Sequence, residues 1–279
     1  MFEQITIIAP GLLGASIGMA ASERSLTKRI HVWARRSEAR KQCESTSWCH
    51  YAPESIMDSV KGSNLVILCA PVEMIPSLVK TVAPALKEGC IVTDVGSTKE
   101  TLCKECMKVI PKNAFFVGSH PMAGSEKSGL ENATSNLFEN RSCFITPTEE
   151  KNPAIETVLR FWEALGMNCT CVSPEEHDAI AAHISHLPHL LASTLCSYFN
   201  QKNKSWKSFA GTGLIDTTRV ASGNPNIWDS IIRQNITEIE LSLEGFQKEL
   251  KKLDSLIKNR DYEAIRSFLV KGKEFRDSL

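Results

Sequence analysis

Within its first eighteen residues the chain sets an apolar run, Ile5-Thr6-Ile7-Ile8, directly against Ala9-Pro10-Gly11-Leu12-Leu13-Gly14 and a small-residue segment, Ala15-Ser16-Ile17-Gly18. A strand that turns straight into a helix across two glycines limits the possible folds more than any other feature of this sequence. Gly11 leaves the backbone open to a ligand, and Gly14 lets the helix lie close to the strand. Free N–H groups at such a helix start attract an anion, and this spacing serves a dinucleotide pyrophosphate. The motif reads A-x-G-x-x-G, so Ala9 stands where the fingerprint ordinarily has its first glycine. Ala9, Gly11, Leu12, Leu13 and Gly14 are therefore candidate cofactor contacts.

The rest of the chain extends this beginning. Strand-like runs follow at 30–34, 65–69, 91–94, 115–118, 143–146 and 169–172, with helical stretches such as 71–86 and 153–165 between them. The central runs are almost continuously apolar, as strands buried on both faces of a parallel sheet must be. After Pro174 the strand signal stops and the pattern is helical. The expected organisation is an α/β Rossmann-type domain with a mostly parallel sheet over residues 1–173, then an all-α domain over 174–279. The longest predicted helix runs from about Asn226 to Lys258. Along it Ile232, Ile236, Ile239, Leu243, Phe246, Leu250, Leu253 and Ile257 alternate steps of four and three. Such a helix would be roughly 50 Å long. It either packs on its own domain or forms a subunit interface. Residues 174–279 offer little of that length to pack against, which favours a homodimer through the helical domain.

The second strand bears on cofactor choice. Sites for NAD usually carry an acid about 20 residues past the last glycine, to hold a ribose hydroxyl. Here that stretch reads Val32-Trp33-Ala34-Arg35-Arg36-Ser37, with no carboxylate before Glu38. Two guanidiniums and a hydroxyl suit a 2′-phosphate. Arg35, Arg36 and Ser37 thus point to NADP, with NAD as the alternative and surface charge at a strand end as the plain reading. Ala70 and Pro71, after the third strand, complete the candidate cofactor contacts.

Other features narrow the class. Lys+Arg and Asp+Glu both total 32, so no basic surplus calls for nucleic acid. No apolar run approaches the roughly 18 residues of a membrane span, and the first residues lack a signal peptide's basic head. The ten cysteines are scattered, and the one C-x-x-C, Cys103 to Cys106, has no second pair to complete a zinc site. Reduced thiols in a cytoplasmic protein, with no metal, are expected.

Three segments look like site loops: Asp94-Val95-Gly96-Ser97-Thr98-Lys99, the run from Gly118 to Gly129, and His183-Ile184-Ser185-His186-Leu187-Pro188-His189. The phrases "DVGSTKE", "GSHPMAGSEKSG", "HISHLPHLLA" and "TTRVASGNPNIW" resemble the prephenate/arogenate dehydrogenase family in order and spacing, over nearly the whole chain. The resemblance implies that a dienol ring loses hydride from C4 to the nicotinamide and CO₂ from C1 as it becomes aromatic. It assigns to His120 the hydrogen bond from the C4 hydroxyl, a task that suits a neutral imidazole. Ser97 would orient that imidazole or touch the same hydroxyl, and Arg219 would bind substrate carboxylate. His186 and His189 fall on the substrate side. Pro188 cannot donate to the carbonyl of Ile184, so a kink is expected there. Trp228 either lines the pocket or simply packs. The three histidines of 183–189 could suggest a metal, but the proline spoils their spacing and no carboxylate adjoins them.

A β-hydroxyacid-type dehydrogenase is the nearest alternative, although that class relies on a lysine where this chain has histidines. A non-catalytic NADP-binding sensor would have no use for His120 and Arg219 in these contexts. The substrate is prephenate or arogenate, which differ by an ammonium. The loop offers both Glu126 and Lys127, and "SEKSG" leans toward prephenate. No regulatory domain or chorismate mutase segment is expected beside these two domains.

Overall fold

The computed structural model describes residues 2–124, 129–149 and 151–279, and the chain divides into two compact units, Met1–Asn235 and Ile236–Leu279. The first unit opens with β1 (Ile5–Ile8), α1 (Leu12–Glu23), β2 (Ile30–Trp33), α2 (Ser37–Glu44) and α3 (Ile56–Val60). Then come β3 (Leu65–Leu68), α4 (Ile75–Val82), β4 (Cys90–Asp94), α5 (Glu100–Val109) and β5 (Ala114–Phe116). The five strands form one parallel sheet in the order β2-β1-β3-β4-β5. Alternate residues feed two cores, one on each face. Ile5, Ile7, Leu65 and Ile67 join Ile17 and Trp162, while Ile8, Val66 and Leu68 join Val79, Val92 and Phe116. This is a Rossmann-type sheet, and its strands carry unbroken apolar runs because both faces are covered.

The run expected as one strand at 115–118 is divided. The chain leaves the parallel sheet after Phe116, passes the buried Val117 and enters β6 (Gly118–Pro121). With β7 (Ser142–Thr146), α6 (Ile155–Ala164) and β8 (Asn168–Cys171), β6 builds a second, three-stranded sheet. The β6–β7 pairing is antiparallel and β7–β8 is parallel. A side chain at Gly118 would lie 2.4 Å from Thr146 Oγ1, so only glycine permits the crossing at that point.

Helices complete the unit: α7 (Pro174–Ala181), α8 (Leu187–Asn200), α9 (Thr212–Thr218) and α10 (Pro225–Gln234). Between α7 and α8, Ala182–His186 form a π-helical turn. Its wider i→i+5 bonding absorbs the N–H missing at Pro188, so the anticipated kink becomes a bulge. The predicted single helix from Asn226 to Lys258 is two helices, broken at Asn235 with φ −121° and ψ 33°. There the side-chain amide donates to the carbonyl of Asp178 at 2.8 Å.

The second unit holds α11 (Ile236–Lys258) and α12 (Tyr262–Asp277), packed on each other; α12 is capped by Asp261, which accepts from Ala264 N. Ile239 is buried, whereas Leu250, Ile257, Leu269, Val270 and Phe275 are exposed. Among the described residues no helix is long and apolar enough to cross a membrane, and no His/Cys/Asp/Glu group could hold a metal. Cys103 and Cys106 both lie buried in α5, and burial pushes the Cys103 thiol up to about 12.

Candidate active site

At the head of β1 the backbone turns through Ala9, which adopts a left-handed φ of 62°, and Gly11 N donates to Ala9 O at 2.8 Å. α1 then starts at Leu12 with no side chain capping it. Its first N–H groups remain available. A Cβ at Gly11 would meet nothing within 4 Å, whereas one at Gly14 would meet Ile7 at 3.0 Å and Cys69 at 3.2 Å. Gly14 therefore allows the close packing of helix on sheet, and Gly11 keeps the approach to the helix start clear. An uncapped helix start behind an open glycine fits the pyrophosphate of a nicotinamide dinucleotide.

Gly11, Leu12 and Leu13 line one side of a cavity of about 560 Å³. Ser97, His120, His189, Arg219 and Trp228 line the same cavity. The remaining candidate contacts lie outside it. Ala9 and Gly14 form its supporting turn, and His186 is wholly buried behind it. Ala70 and Pro71 follow β3, and Arg35, Arg36 and Ser37 are exposed where β2 gives way to α2. Neither arginine forms an ion pair among the described residues, while the Ser37 hydroxyl donates to Glu38 Oε1 at 3.0 Å. Trp33 O accepts from Ala9 N at 2.8 Å, which ties the strand carrying the arginines to the start of the glycine turn. Glu126 and Lys127 lie outside the described residues.

His120 sits on β6 opposite Phe144, 6% exposed. Its Nδ1 is 2.8 Å from Nε2 of His177, and Nδ1 of His177 is 2.7 Å from Asp178 Oδ1. Asp178 in turn accepts from the backbone N–H groups of Lys99 at 2.7 Å and Glu100 at 2.9 Å, at the start of α5. Burial holds the His120 imidazole well below its usual range, and the charges of His177, Lys99 and His186 act in the same direction. His177 is also lowered by burial, with Asp178 opposing. A neutral His120 can accept a proton at the nitrogen that His177 does not engage. His177, Asp178 and Asn235 were not singled out in the sequence.

The loop after β4 is braced separately. Asp94 forms a fully buried ion pair with Lys99 and accepts from Gly96 N at 2.7 Å and Ser119 N at 3.2 Å. One carboxylate thus holds both the loop carrying Ser97 and the strand carrying His120.

On the facing side, the π turn directs His183 outward and His186 inward, so these two do not converge. Burial lowers His186 to about 4, and its Nδ1 lies 3.2 Å from Asn235 Nδ2. His189, one turn on, stacks against Trp228, and burial lowers its imidazole too. Arg219 opens a short 3₁₀ turn, Arg219–Ser222, and is exposed at the cavity wall.

Residues 17–171 match the family model "Prephenate dehydrogenase, nucleotide-binding domain", and residues 173–271 match "Prephenate dehydrogenase, dimerization domain". The chain belongs to the prephenate dehydrogenase family. It is 30% identical to the prephenate dehydrogenase of Bacillus subtilis, over 100% of this chain and 76% of that protein. The family's structures share its fold. One, from Aquifex aeolicus in complex with hydroxyphenyl propionate and NAD+, superposes with a TM-score of 0.91 at 28% identity, covering 99% of this chain and 98% of that one. The arogenate dehydrogenase of Synechocystis superposes at 0.83 with 26% identity, over 99% of both chains. The family makes the chain an NAD(P)-dependent oxidoreductase of the prephenate/arogenate dehydrogenase type.

Proposed function

We propose that the chain converts prephenate to 4-hydroxyphenylpyruvate by oxidative decarboxylation, with NADP preferred over NAD. One observation carries this reading: the uncapped start of α1, the neutral His120 and the cation Arg219 share a single cavity. Nicotinamide, when bound, supplies the hydride acceptor. His120 takes the hydroxyl proton as the C4 oxygen becomes a carbonyl, and Ser97 hydrogen-bonds the same oxygen. As the C1 carboxylate departs as CO₂, its bonding electrons enter the ring, which becomes aromatic. Arg219 pairs with the substrate's carboxylate. His189 and Trp228 form a flat wall for the ring, and His186 supports that wall from behind. His120, buried and held neutral, is an acceptor for the hydroxyl on the carbon that gives up hydride.

NADP is favoured by Arg35 and Arg36, exposed and without carboxylate neighbours before Glu38. A homodimer is supported by the dimerization-domain match and by the apolar side chains exposed on α11 and α12. Ten free cysteines, most of them buried, suit a reducing cytoplasm. Steady-state rates with prephenate and arogenate, each with NADP and NAD, test the reading through absorbance of the reduced cofactor. We expect prephenate with NADP to give the highest specificity constant, exceeding NAD by about tenfold, or ~1.4 kcal/mol. The double change Arg35→Ala, Arg36→Ala should erase that margin. Higher efficiency with arogenate, or with NAD, would overturn the corresponding half of the proposal.

A further inference from the structure

We infer that His177 and Asp178 are positioning residues that keep the single proton of the His120 ring on Nδ1, so that Nε2 presents a bare lone pair to the cavity. The inference rests on the reading of His120 as acceptor of the substrate's hydroxyl proton and explains how that nitrogen is kept ready.

The order of hydrogens is set outward from the start of α5. Asp178 is 1% exposed, and its two oxygens accept from Lys99 N at 2.7 Å and Glu100 N at 2.9 Å. A carboxylate so placed at a helix N-terminus is an acceptor only. His177 Nδ1, 2.7 Å from Asp178 Oδ1, must therefore carry hydrogen. A neutral imidazole has one N–H, so His177 Nε2 is a lone pair. That lone pair lies 2.8 Å from His120 Nδ1, which must then be the donor. His120 has spent its hydrogen, and Nε2 is left bare. Each step is forced by the one before, since two hydrogens or two lone pairs facing at that distance would leave a buried contact unmade.

The neighbours hold this order in place. Burial keeps both imidazoles neutral, which excludes a doubly protonated His177 that would push hydrogen toward His120 and reverse the sequence. Phe144 meets the His177 ring edge-on, centroids 5.2 Å apart at 86°, and restrains its rotation. Asn235 donates to the carbonyl of Asp178 at 2.8 Å. The Lys99 ammonium is paired with Asp94 and does not compete for Asp178. When the hydroxyl O–H bond breaks, the proton stays on His120 Nε2. The imidazolium then donates through Nδ1 to His177, whose basicity Asp178 raises. No further proton needs to move.

Nitrogen-15 NMR of the histidine-labelled protein, free of substrate and cofactor, reads the tautomer directly, with His120→Asn assigning the signal. We expect protonated Nδ1 and bare Nε2. Asp178→Asn leaves one oxygen for the three N–H groups that Asp178 accepts; where its NH2 faces His177, both rings should invert and place hydrogen on His120 Nε2, which the same spectrum reads. Turnover should fall about 10²–10⁴-fold, as when the carboxylate of a serine-protease triad is replaced by an amide. Substrate KM should stay within about threefold, because the ground-state contacts are untouched. His177→Gln keeps an oxygen able to accept from His120 Nδ1 and should retain at least about tenfold more turnover than His177→Leu. A wild-type His120 protonated on Nε2 overturns the inference. So does a folded Asp178→Asn enzyme that shows hydrogen on His120 Nε2 yet keeps near-normal turnover, or a glutamine variant no better than leucine. If Asp178→Asn does not fold, or keeps its oxygen on His177, the wild-type spectrum and the Gln/Leu pair still decide. Near-normal turnover of His120→Asn would instead sink the reading of His120 as base, and the spectrum, still showing a bare Nε2, would tell the two failures apart.

Discussion

His189 and Trp228 lie face to face, ring centroids 3.5 Å apart and planes 8° from parallel. Gly223 makes room for the pair: a Cβ there would fall 2.5 Å from Trp228 Nε1 and 3.2 Å from His189 Cε1. The backbone at Gly223, φ −60° and ψ 150°, suits any residue, so the need for glycine is purely one of space. Gly223→Ala should push the indole out of the stack and spoil the wall of the cavity. Stability should change little, while substrate KM rises about tenfold, the worth of ~1.4 kcal/mol. Steady-state kinetics with tryptophan fluorescence check this, and an unchanged KM beside a shifted emission would disprove the wall's part in binding.

Ala9 shows the opposite case, a residue with a side chain where glycine would rest more easily. Its φ of 62° costs an L-residue about 1–2 kcal/mol. Ala9→Gly should relieve that strain, less about 0.5–1 kcal/mol for the freer unfolded chain. The net gain should raise Tm by about 2 °C in a unit of this size. Differential scanning calorimetry decides it, and a lowered Tm would mean that the methyl contributes packing that outweighs the strain.

The second unit exposes Leu250, Ile257, Leu269, Val270 and Phe275 along two helices packed only on each other within that unit. If these faces meet a second copy, the chain should be a dimer by light scattering at micromolar concentration. Leu243→Glu, in the half-buried part of α11, should then raise the dimer dissociation constant at least about tenfold. A wild-type monomer would refute the interface.

Acid should destabilise the first unit earlier than its carboxylates alone would require. His120, His177 and His186 are buried and lowered, His186 to about 4. Unfolded imidazoles titrate near roughly 6.5. Below that pH the unfolded chain binds more protons than the folded one, so stability is full above it and drains away as pH falls toward about 4. Tm should therefore decline between pH 7 and 5, and His186→Asn should flatten the decline while lowering Tm at neutral pH. A level Tm across that range would show that these rings find compensating charge on protonation.

The sequence displayed the elements whose physics is local. The glycine turn follows from Gly11 and Gly14, and the buried strands from unbroken apolar runs. The segments that meet at the cavity stood out because Ser97, His120, His189, Arg219 and Trp228 sit in distinctive phrases. What was hidden depends on contacts between distant segments. His177-Asp178 reads as an ordinary helix start after Ser173-Pro174, and only folding brings it between β6 and α5. The break at Asn235 is masked because apolar spacing continues across it, from Ile232 to Ile236 and Ile239. The division of 115–118 between two sheets leaves no trace in an apolar run, since both halves are buried.

His120 carries the decisive prediction. If it accepts the reacting hydroxyl's proton, its contact strengthens as that oxygen becomes a carbonyl, so its loss should appear in turnover rather than in binding. His120→Asn retains a polar side chain of similar reach but cannot take the proton, and should cost about 10²–10⁴ in kcat. Cofactor affinity should hardly change, because the proposed dinucleotide contacts lie on α1 and beside β2. Arg219→Ala supplies the contrast. Its proposed pairing with carboxylate would already exist in the ground state, so KM should rise steeply while kcat falls less. The acid limb of kcat/KM should lie well below the usual imidazole range, because burial lowers His120. Near-normal turnover in His120→Asn would transfer the role of base to another cavity residue, and His189, the other imidazole lining that cavity, would be the next to replace.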